Sequence, residues 1–329
     1  MIKALVAMDA DATWDDLPPG VELQFCAGDV AAIDAALDDD VEILLTDAMP
    51  STDKRCGGLR WLQLLSAGTD QLGGHPLMLR DIRVSNAAGT SAAHIAEFIV
   101  ARLLYHTKEL RVFDELQRRH HWPDRVAMAR PGLHNKQALI VGYGGVGRET
   151  ARLLAAFGMR IVAVARDPAR TAYHGYMPTS YFGDPDGMLP EQIIAPDALH
   201  EAVAAADVIV LAVPLTPATH HLIDARALAS AKDSAILINI ARGAVVDTTA
   251  LLEALDTGLL AHAYLDVFEQ EPLPSDSSLW DHPRVSITPH MAGVMPDSAP
   301  PLRDLFRQNL RRYSDGQPLI NQLDRQRFI

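Results

Sequence analysis

Short apolar runs alternate with helical patterns along most of the chain, as expected for parallel strands joined by crossover helices. In the first hundred residues the strand candidates are 4–8, 42–45, 61–64 and 83–85, and each is followed by polar or small residues. These runs predict one small sheet near the N-terminus.

From residue 91 onward the spacing becomes helical. Apolar residues recur at three- and four-residue steps, at Ala92, Ile95, Ala96, Ile99, Leu103 and Leu110. These steps describe one face of a long helix with Thr90 or Ser91 as its N-cap. After a polar segment, more strongly apolar runs follow at 138–141, 160–165, 208–213, 235–240, 263–267 and 285–288. Strands that are apolar on both faces are typical of a parallel sheet covered by helices on either side.

The length of 329 residues favours two domains, because one hydrophobic core rarely serves so long a chain. We predict an α/β protein with two doubly wound parallel-sheet domains, one formed by residues 1–100 plus 295–329 and the other by 101–294. A last helix is expected over 302–313 and should pack on the first domain. Residues 173–196, rich in Gly, Pro and Tyr, are expected to form a surface excursion.

Charge and composition restrict the classes of partner. The 42 acidic and 29 basic side chains give a net charge of −13, which repels phosphate backbones and anionic lipid, so neither nucleic acid nor a membrane is expected as a partner. The N-terminal apolar run is too short for a signal peptide, and no apolar stretch reaches the roughly 18 residues that span a bilayer. With two cysteines, Cys26 and Cys56, and no Cys/His cluster at ligand spacing, we expect no metal and a cytoplasmic location.

The sharpest local motif is a GxGxxG run, Gly142-Tyr143-Gly144-Gly145-Val146-Gly147. It follows the strand at 138–141 directly and opens a helix, and this context distinguishes it from a Gly-rich turn without a ligand. Gly142 permits the tight turn, Gly144 lets the backbone approach a pyrophosphate, and Gly147 lets the helix lie close to the strand. The motif therefore predicts a dinucleotide-binding turn.

The end of the next strand bears on the choice of cofactor. An acidic residue usually stands there in NAD-binding sites, where it holds the ribose 2′-hydroxyl. In this chain Ala165 occupies that place and Arg166 follows, so no carboxylate repels a 2′-phosphate and a guanidinium is available to bind it. NADP is therefore preferred. The alternative is that Asp167 serves as the acid after a shift of one residue, in which case NAD is the cofactor.

Three later segments carry candidate chemistry at the ends of predicted strands. They read NIARG at 239–243, DVFEQEP at 266–272 and TPHMAG at 288–293. Reduction of a keto acid requires a cation for the carboxylate and carbonyl, a proton donor for the developing alkoxide, and a partner that keeps the donor protonated. Arg242, His290 and Glu271 supply these three functions. Each alone is more often a turn residue or a satisfied core histidine, and their joint order at strand ends favours catalysis.

With these segments in view, the chain resembles the D-isomer-specific 2-hydroxyacid dehydrogenase family, which includes glyoxylate/hydroxypyruvate reductases, phosphoglycerate dehydrogenases and D-lactate dehydrogenases. Further matching motifs are SAGTD at 66–70, NAAG at 86–89, ADV at 206–208, PLTP at 214–217 and GAVVD at 243–247. The resemblance covers nearly the whole chain. It implies a flavodoxin-like substrate-binding domain, an NAD(P)-binding Rossmann domain and a homodimer, which the linker around Trp122 also favours.

The resemblance also implies roles for individual residues. Arg242 would bind the substrate carboxylate and keto oxygen, His290 would exchange the proton, and Glu271 would hydrogen-bond His290. Backbone amides around Ala67 and Gly68 would bind the substrate carboxylate. Cofactor contacts are expected from the GxGxxG turn and from Arg166, Pro214, Ile240, Ala241, Asp266 and Gly293.

The predicted function is reduction of a small 2-keto acid, glyoxylate or hydroxypyruvate, to the D-2-hydroxy acid. Two alternatives stand beside it. One is an NADH-sensing binding protein of the corepressor type, disfavoured because the chain lacks a basic tail or a disordered arm. The other is a phosphoglycerate, formate or phosphonate dehydrogenase, because the fold alone does not separate these enzymes.

Overall fold

A computed structural model describes residues 1–8, 14–51, 56–178, 182–295 and 299–328. The chain divides into two compact units, which are described separately. The first unit comprises Met1–Ser91, His174–Ser180 and Pro296–Ile329, and the second comprises Ala92–Tyr173 and Tyr181–Met295. Each is an α/β unit built around one parallel sheet.

Twelve strands and eight α-helices lie in the described residues. The strands are β1 Ile2–Ala7, β2 Val21–Cys26, β3 Ile43–Leu45, β4 Trp61–Gln63, β5 Arg83–Ser85, β6 Gln137–Val141, β7 Arg160–Val164, β8 Gln192–Ile194, β9 Val208–Leu211, β10 Ile236–Asn239, β11 His262–Leu265 and β12 Val285–Ile287. The helices are α1 Val30–Ala36, α2 Ala92–Thr107, α3 Leu110–Arg118, α4 Gly145–Ala156, α5 Leu199–Ala205, α6 Ala225–Ser230, α7 Thr248–Asp256 and α8 Ala299–Ser314. None of these described helices is long and apolar enough to cross a membrane.

The sheet of the first unit has the order β2-β1-β3-β4-β5, with every neighbouring pair parallel, which is the flavodoxin-like arrangement. Alternate residues of β1 face opposite sides. Leu5 packs in the same core as Ile33 of α1, while Val6 packs in the same core as Phe306 and Leu310 of α8. The predicted C-terminal helix thus packs on the first unit, beginning three residues earlier than expected.

The sheet of the second unit has the order β12-β11-β10-β9-β6-β7-β8, again with all pairs parallel. One face is covered by α2 and α4, through residues such as Ile99, Leu103 and Leu154. The other face is covered by α5, α6 and α7, through residues such as Val203 and Leu251. Because helices cover both faces of the sheet, its strands are apolar on both sides, which explains the strongly apolar runs in the sequence. The expectation of two doubly wound parallel-sheet domains is confirmed.

The predicted boundaries between the domains need two corrections. The first unit ends at Ser91 rather than at residue 100, because Ile99 and Leu103 of α2 are buried in the core of the second unit. Residues 174–180 belong to the first unit. The long helix expected from residue 91 ends at Thr107, and α3 begins at Leu110 after Glu109, whose φ of 53° lies in the left-handed region.

The segment at 173–196 lies mostly at the surface, as expected, and a few buried side chains anchor it. Tyr176 is buried in the first unit, where its hydroxyl donates to Asp304 Oδ2 at 2.9 Å and its backbone amide donates to Asn321 Oδ1 at 3.2 Å. Asp184 is buried in the second unit. The segment also contains β8, which pairs with β7 at the edge of the second sheet. The segment therefore contributes contacts to both units although most of its residues are exposed or partly exposed.

Two histidines face each other near the start of β11 in the second unit. The ring centroids of His106 and His262 are 5.0 Å apart. His262 Nε2 lies 3.0 Å from Ser286 Oγ, and His106 Nδ1 lies 3.3 Å from the hydroxyl of Tyr264. Both imidazoles therefore have polar partners that suit a neutral ring.

Burial lowers the pKa of both imidazoles, and that of His262 falls to about 4. The neighbouring ring of His106, the charge of Arg111 and the ring of His282 add to the effect at His262. Glu109 acts in the opposite direction on His106. The pair is thus neutral in the folded protein at pH values where an exposed histidine is already protonated.

This pair is expected to make the protein less stable in mild acid. In the unfolded chain His262 is protonated below about pH 6.5, whereas in the folded protein it is protonated only below about pH 4. Because the unfolded state binds the extra proton, the free energy of unfolding falls as the pH is lowered across that interval. Each tenfold difference in proton affinity between the folded and unfolded states changes the free energy of unfolding by about 1.4 kcal/mol. Because His262 is partly exposed, solvent screens part of this effect, and we expect the free energy of unfolding to fall by an amount on the order of 2 kcal/mol.

Urea unfolding at pH 7 and pH 5 measures this loss. The variant His262→Gln should flatten the pH dependence, whereas His134→Gln, which changes an exposed histidine, should leave it unchanged. Equal pH dependence in wild type and His262→Gln would show that another group is responsible.

Candidate active site

The predicted functional residues of the second unit all follow the carboxyl ends of neighbouring strands. In sheet order, His290 and Gly293 follow β12, Asp266 and Glu271 follow β11, Ile240, Ala241 and Arg242 follow β10, Pro214 follows β9, the GxGxxG turn follows β6 and Arg166 follows β7. Since these strands are parallel, their carboxyl ends share one edge of the sheet, which is where open α/β sheets bind ligands.

The GxGxxG turn has the geometry of a phosphate-binding turn. Gly142 has a φ of 103°, and a Cβ there would overlap the backbone of Ala212 at the end of β9. A Cβ on Gly147 would overlap the carbonyl of Gly142, so α4 lies against the turn. The amides of Gly144 and Val146 have no acceptor within the described part of the chain. Free amides at the N-terminus of a twelve-residue helix suit a pyrophosphate.

The side chain of Tyr143 is directed into the protein. It is 7% exposed, and its hydroxyl donates to Asp184 Oδ2 at 2.5 Å. Burial raises the pKa of this hydroxyl, and the adjoining carboxylate raises it further. Tyr143 was expected among the cofactor-binding residues. Its side chain is hydrogen-bonded to Asp184, so only its backbone is available to bind a cofactor.

Arg166 and Asp167, the two candidate ligands of the ribose, have different surroundings in the turn after β7. Asp167 Oδ1 accepts the backbone amide of Ala169 at 3.2 Å and so caps its own turn. Arg166 and Arg170 are exposed, and neither side chain makes a hydrogen bond or ion pair with any residue that the structure describes. Two guanidinium groups are thus presented at this end of β7.

His290 and Glu271 form a hydrogen-bonded couple. His290 Nδ1 lies 2.8 Å from Glu271 Oε2, and Glu271 Oε1 accepts the amide of Phe268 at 2.9 Å. Because an ionised carboxylate only accepts hydrogen bonds, we assign the proton between them to Nδ1. The side chains are 48% and 35% exposed, so this is not a histidine satisfied inside a core. The other ring nitrogen, Nε2, is left for a ligand.

Asp266 holds the loop that carries His290. This carboxylate is 2% exposed and accepts the hydroxyl of Thr288 at 2.6 Å and the amides of Met291 at 2.9 Å and Ala292 at 2.8 Å. The backbone of His290 has a φ of 55°, a strained value for a residue with a side chain. Its amide donates to the carbonyl of Asp266 at 2.8 Å. The strained conformation is therefore fixed by Asp266.

Arg242 is brought beside the loop of Glu271 by close backbone packing. Asn239 Nδ2 donates to the carbonyl of Arg242 at 3.0 Å, and Asn239 Oδ1 accepts the amide of Ala241 at 3.0 Å. A Cβ on Gly243 would overlap the backbone of Phe268 and Glu269, so only glycine fits there. The guanidinium of Arg242 donates through Nη1 to the carbonyl of Ala241 at 2.7 Å.

Some of these positioning residues were not predicted. Asp266 was predicted to lie near the cofactor, but its hydrogen bonds to the loop at 288–292 were not predicted. The exposed side chain of Glu269 also accepts, through Oε1, the amide of Thr248 at 3.1 Å, and this bond links the loop after β11 to α7. The Arg-Gly dipeptide at 242–243 was the available signal for the close approach, because glycine often marks a backbone contact.

Ala67 and Gly68 lie in the first unit, in the loop after β4. Asn86 Nδ2 donates to the carbonyl of Ala67 at 2.7 Å, and Asp47 Oδ1 accepts the amide of Ser66 at 2.9 Å. The amides of Ala67 and Gly68 have no acceptor among the described residues. A loop with its amides available in this way has the donors that a carboxylate requires.

The arrangement in the second unit combines a guanidinium, an imidazole paired with a carboxylate, and a turn of backbone donors at one sheet edge. Among the described residues, no group of three or more His, Cys, Asp or Glu side chains is placed to hold a metal ion. The residues present fit a dinucleotide, through the glycine-lined turn and the amides of α4. They also fit proton transfer to an anionic substrate.

The chain is similar to known proteins of one family. Residues 100–292 match the family model of the D-isomer specific 2-hydroxyacid dehydrogenase, NAD binding domain. A glyoxylate reductase from Thermofilum pendens is 31% identical over 306 residues, 92% of this chain and 84% of that protein. An (S)-sulfolactate dehydrogenase from Chromohalobacter salexigens is 32% identical over 257 residues, 77% of this chain and 77% of that protein.

A solved structure also covers both units. It is a D-isomer specific 2-hydroxyacid dehydrogenase from Xanthobacter autotrophicus in complex with NADPH and MES, which is 28% identical, superposes with a TM-score of 0.78 and covers 99% of this chain and 99% of that one. The chain therefore belongs to the D-isomer-specific 2-hydroxyacid dehydrogenase family, whose members are NAD(P)-dependent oxidoreductases.

Proposed function

We propose that this enzyme reduces glyoxylate or hydroxypyruvate to the corresponding D-2-hydroxy acid, with NADPH as the preferred cofactor. The observation that carries the proposal is the His290–Glu271 couple beside Arg242 at the sheet edge that also bears the GxGxxG turn. The name of the Thermofilum pendens relative supports the choice of substrate class.

Three side chains divide the work on the substrate. Arg242 binds the carboxylate and keto oxygen, and its charge stabilises the negative charge that develops on that oxygen. His290 donates the Nε2 proton to the developing alkoxide. Glu271 holds Nδ1 and stabilises the positive charge that the ring carries before this transfer. A bound nicotinamide supplies the hydride that adds to C2. The family resemblance supports the amides of Ala67 and Gly68 as further donors to a substrate carboxylate.

The positions of the strand ends support the following cofactor contacts. The backbone of the turn at 142–147 binds the pyrophosphate, and Arg166 binds the 2′-phosphate. Pro214, Ile240, Ala241 and Gly293 border the nicotinamide half, while Asp266 acts there through the loop it anchors.

Arg166→Ala should raise KM for NADPH by about tenfold or more and leave KM for NADH nearly unchanged, since a hydrogen-bonded ion pair to the 2′-phosphate is lost. Initial rates at saturating keto acid measure both constants. Arg226→Ala, which removes an exposed arginine of α6, is the matched control. A wild-type preference for NADH would overturn the cofactor assignment.

The substrate assignment is tested by following absorbance at 340 nm with a panel of acids. We expect the highest kcat/KM with glyoxylate or hydroxypyruvate, and lower values with pyruvate and phosphohydroxypyruvate. Oxidation of formate or phosphite with NADP⁺ in place of keto-acid reduction would favour a related dehydrogenase. Nucleotide binding without turnover of any acid would favour a sensor.

We also propose that the enzyme is a homodimer and that it acts in the cytoplasm. α3 and the following linker expose large apolar side chains, and Phe113, Trp122 and Val126 are 41%, 87% and 83% exposed. Such patches mark protein interfaces. A second copy of this chain is the partner that the family resemblance favours. The sequence has two cysteines, too few for a disulfide framework, and this suits a reducing compartment.

Sedimentation velocity should give the mass of a dimer for wild type and of a monomer for Trp122→Ser. Trp280→Ser, which changes a tryptophan that is 49% exposed outside this patch, should remain a dimer. A monomeric wild type at micromolar concentration would contradict the dimer.

A further inference from the structure

The loop at 66–68 in the first unit is tied to the loop after β5 by hydrogen bonds to its carbonyls. Asn86 Nδ2 donates to the carbonyl of Ala67 at 2.7 Å, and the amide of Ala87 donates to the carbonyl of Ser66 at 2.9 Å. Asn86 is 7% exposed and Ala87 is 1% exposed. The two carbonyls are therefore held by buried groups.

These bonds also fix the directions of two backbone amides. The carbonyl of Ala67 and the amide of Gly68 belong to one planar trans peptide, so they point in opposite directions. The carbonyl of Ser66 and the amide of Ala67 are related in the same way. Because residues 86 and 87 donate to both carbonyls, both amides point away from these two residues. A hydrogen bond accepted by the carbonyl of a peptide also makes its amide a stronger donor.

Asn86 is held in turn by the segment that follows α8. Asn321 Nδ2 donates to the carbonyls of Asn86 at 3.2 Å and Ala88 at 2.7 Å. The amide of Asn86 donates to the carbonyl of Asn321 at 3.4 Å. Asn321 Oδ1 accepts the amide of Tyr176 at 3.2 Å. The side chain of Asn321 thus joins the loop after β5 to the segment at 174–180.

The position of Asn321 is fixed by α8. Its φ of 56° lies in the left-handed region, which asparagine adopts more readily than most residues. The backbone of the preceding residue, Ile320, donates to Asn309 Oδ1 at 2.7 Å and accepts from Asn309 Nδ2 at 3.1 Å. Asn309 belongs to α8 and is fully buried. Hydrogen bonds therefore connect α8, through Asn321 and Asn86, to the carbonyl of Ala67.

We propose that Asn86 is a positioning residue for the substrate carboxylate, and that Asn321 holds Asn86 in this role. The inference rests on the proposed function, in which the amides of the loop at 66–68 are donors to that carboxylate. Asn86 Oδ1 accepts the amide of Ala88 at 3.3 Å and Nδ2 is bonded to Ala67, so the side chain acts through the loop and not on the substrate itself. It sets the direction in which the amide of Gly68 donates.

Steady-state kinetics with hydroxypyruvate at saturating NADPH test this proposal. The carboxylate keeps its charge during hydride transfer, so hydrogen bonds to it are equally strong in the bound substrate and in the transition state. Asn86→Ala should therefore raise KM by about tenfold, as expected for a misdirected hydrogen bond to a charged group, and keep kcat within about twofold. Asn86→Asp should raise KM at least as much, because a carboxylate cannot donate to the carbonyl of Ala67. The Kd of NADPH should stay unchanged in both variants.

Asn321→Gly tests the second half of the proposal. Glycine adopts a positive φ without strain, so this variant removes the side-chain hydrogen bonds and keeps the backbone conformation. KM should rise by a smaller factor, about threefold, because the backbone hydrogen bond between residues 86 and 321 remains. Asn135→Gly is the matched control, since Asn135 is an exposed asparagine of the second unit with a φ of 61°, and it should have the wild-type KM.

The outcomes separate the inference from the function on which it rests. A wild-type KM in folded Asn86→Ala and Asn86→Asp would overturn the inference, and so would a loss that falls on kcat or on NADPH binding, because it would indicate a general loosening of the fold. Circular dichroism and the urea midpoint check folding. If the Asn86 variants do not fold, Asn321→Gly decides: a raised KM with unchanged kcat supports the inference and a wild-type KM overturns it. A wild type that reduces no 2-keto acid would contradict the proposed function itself.

Discussion

Replacing His290 with asparagine is expected to lower kcat for keto-acid reduction by about a thousandfold and to leave the Kd of NADPH nearly unchanged. The variant loses the proton donor for the alkoxide, a contribution of about 10²–10⁴ in rate when a positioned imidazole supplies it. The asparagine amide can still bond to Glu271, so the loop at 288–292 keeps its contacts with Asp266. Stopped-flow reduction and fluorescence titration of NADPH measure the two quantities.

Two further variants make this result specific. His134→Asn changes an exposed histidine before β6, at the opposite edge of the sheet, and should turn over as wild type does. Glu271→Gln should retain more activity than His290→Asn and shift the pH profile of kcat, because it removes the charge that stabilises the imidazolium and not the proton donor itself. Full activity in His290→Asn would remove this histidine from the mechanism.

Replacing Arg242 with alanine is expected to reduce kcat/KM by about a thousandfold, with KM for the keto acid raised and kcat lowered. The loss follows from two charge-assisted hydrogen bonds to the substrate, each worth about 1.5–3 kcal/mol. Arg242→Lys should recover little of it, since an ammonium does not bind carboxylate and carbonyl in the forked geometry of a guanidinium. Steady-state kinetics across a range of keto-acid concentrations separate the two constants.

We expect both Arg242 variants to keep the backbone contacts of this residue, so that they differ from the wild type only in the side chain. The carbonyl that accepts from Asn239 remains in both variants, and Gly243 still packs against the loop of Glu271. Arg226→Ala again provides the control on an exposed helix surface. A normal KM and kcat in Arg242→Ala would contradict the assigned contact with substrate.

The fold was largely predictable because strand and crossover patterns are local. The runs at 138–141 and 208–213 correspond to β6 and β9, which are buried on both faces and therefore continuous in apolar residues. The two strands that were missed, β2 and β8, are edge strands with one neighbour each, so their half-buried residues give a weaker pattern. β2 and β8 form because they pair with β1 and β7, and this pairing is not visible in the local sequence.

The residues of the site could be predicted from the sequence, but the contacts that hold them in position could not. Arg242, Glu271 and His290 could be named because they follow strand ends in a characteristic order. The contacts that hold them could not, because Asp266 bonds residues 22 to 26 positions away and nothing in its local sequence indicates these partners. The same holds for Tyr143 and Asp184, which are 41 positions apart and meet only through the tertiary fold.

The reaction proposed for this site is hydride transfer from a nicotinamide to C2 of a 2-keto acid, with the proton delivered by His290. The most direct measurement is the reduction of hydroxypyruvate with NADPH deuterated at both positions of the nicotinamide C4, followed by mass spectrometry and chiral separation of the product. We expect D-glycerate with one deuterium at C2. Glycerate without deuterium at C2, L-glycerate, or no product with any 2-keto acid would contradict it.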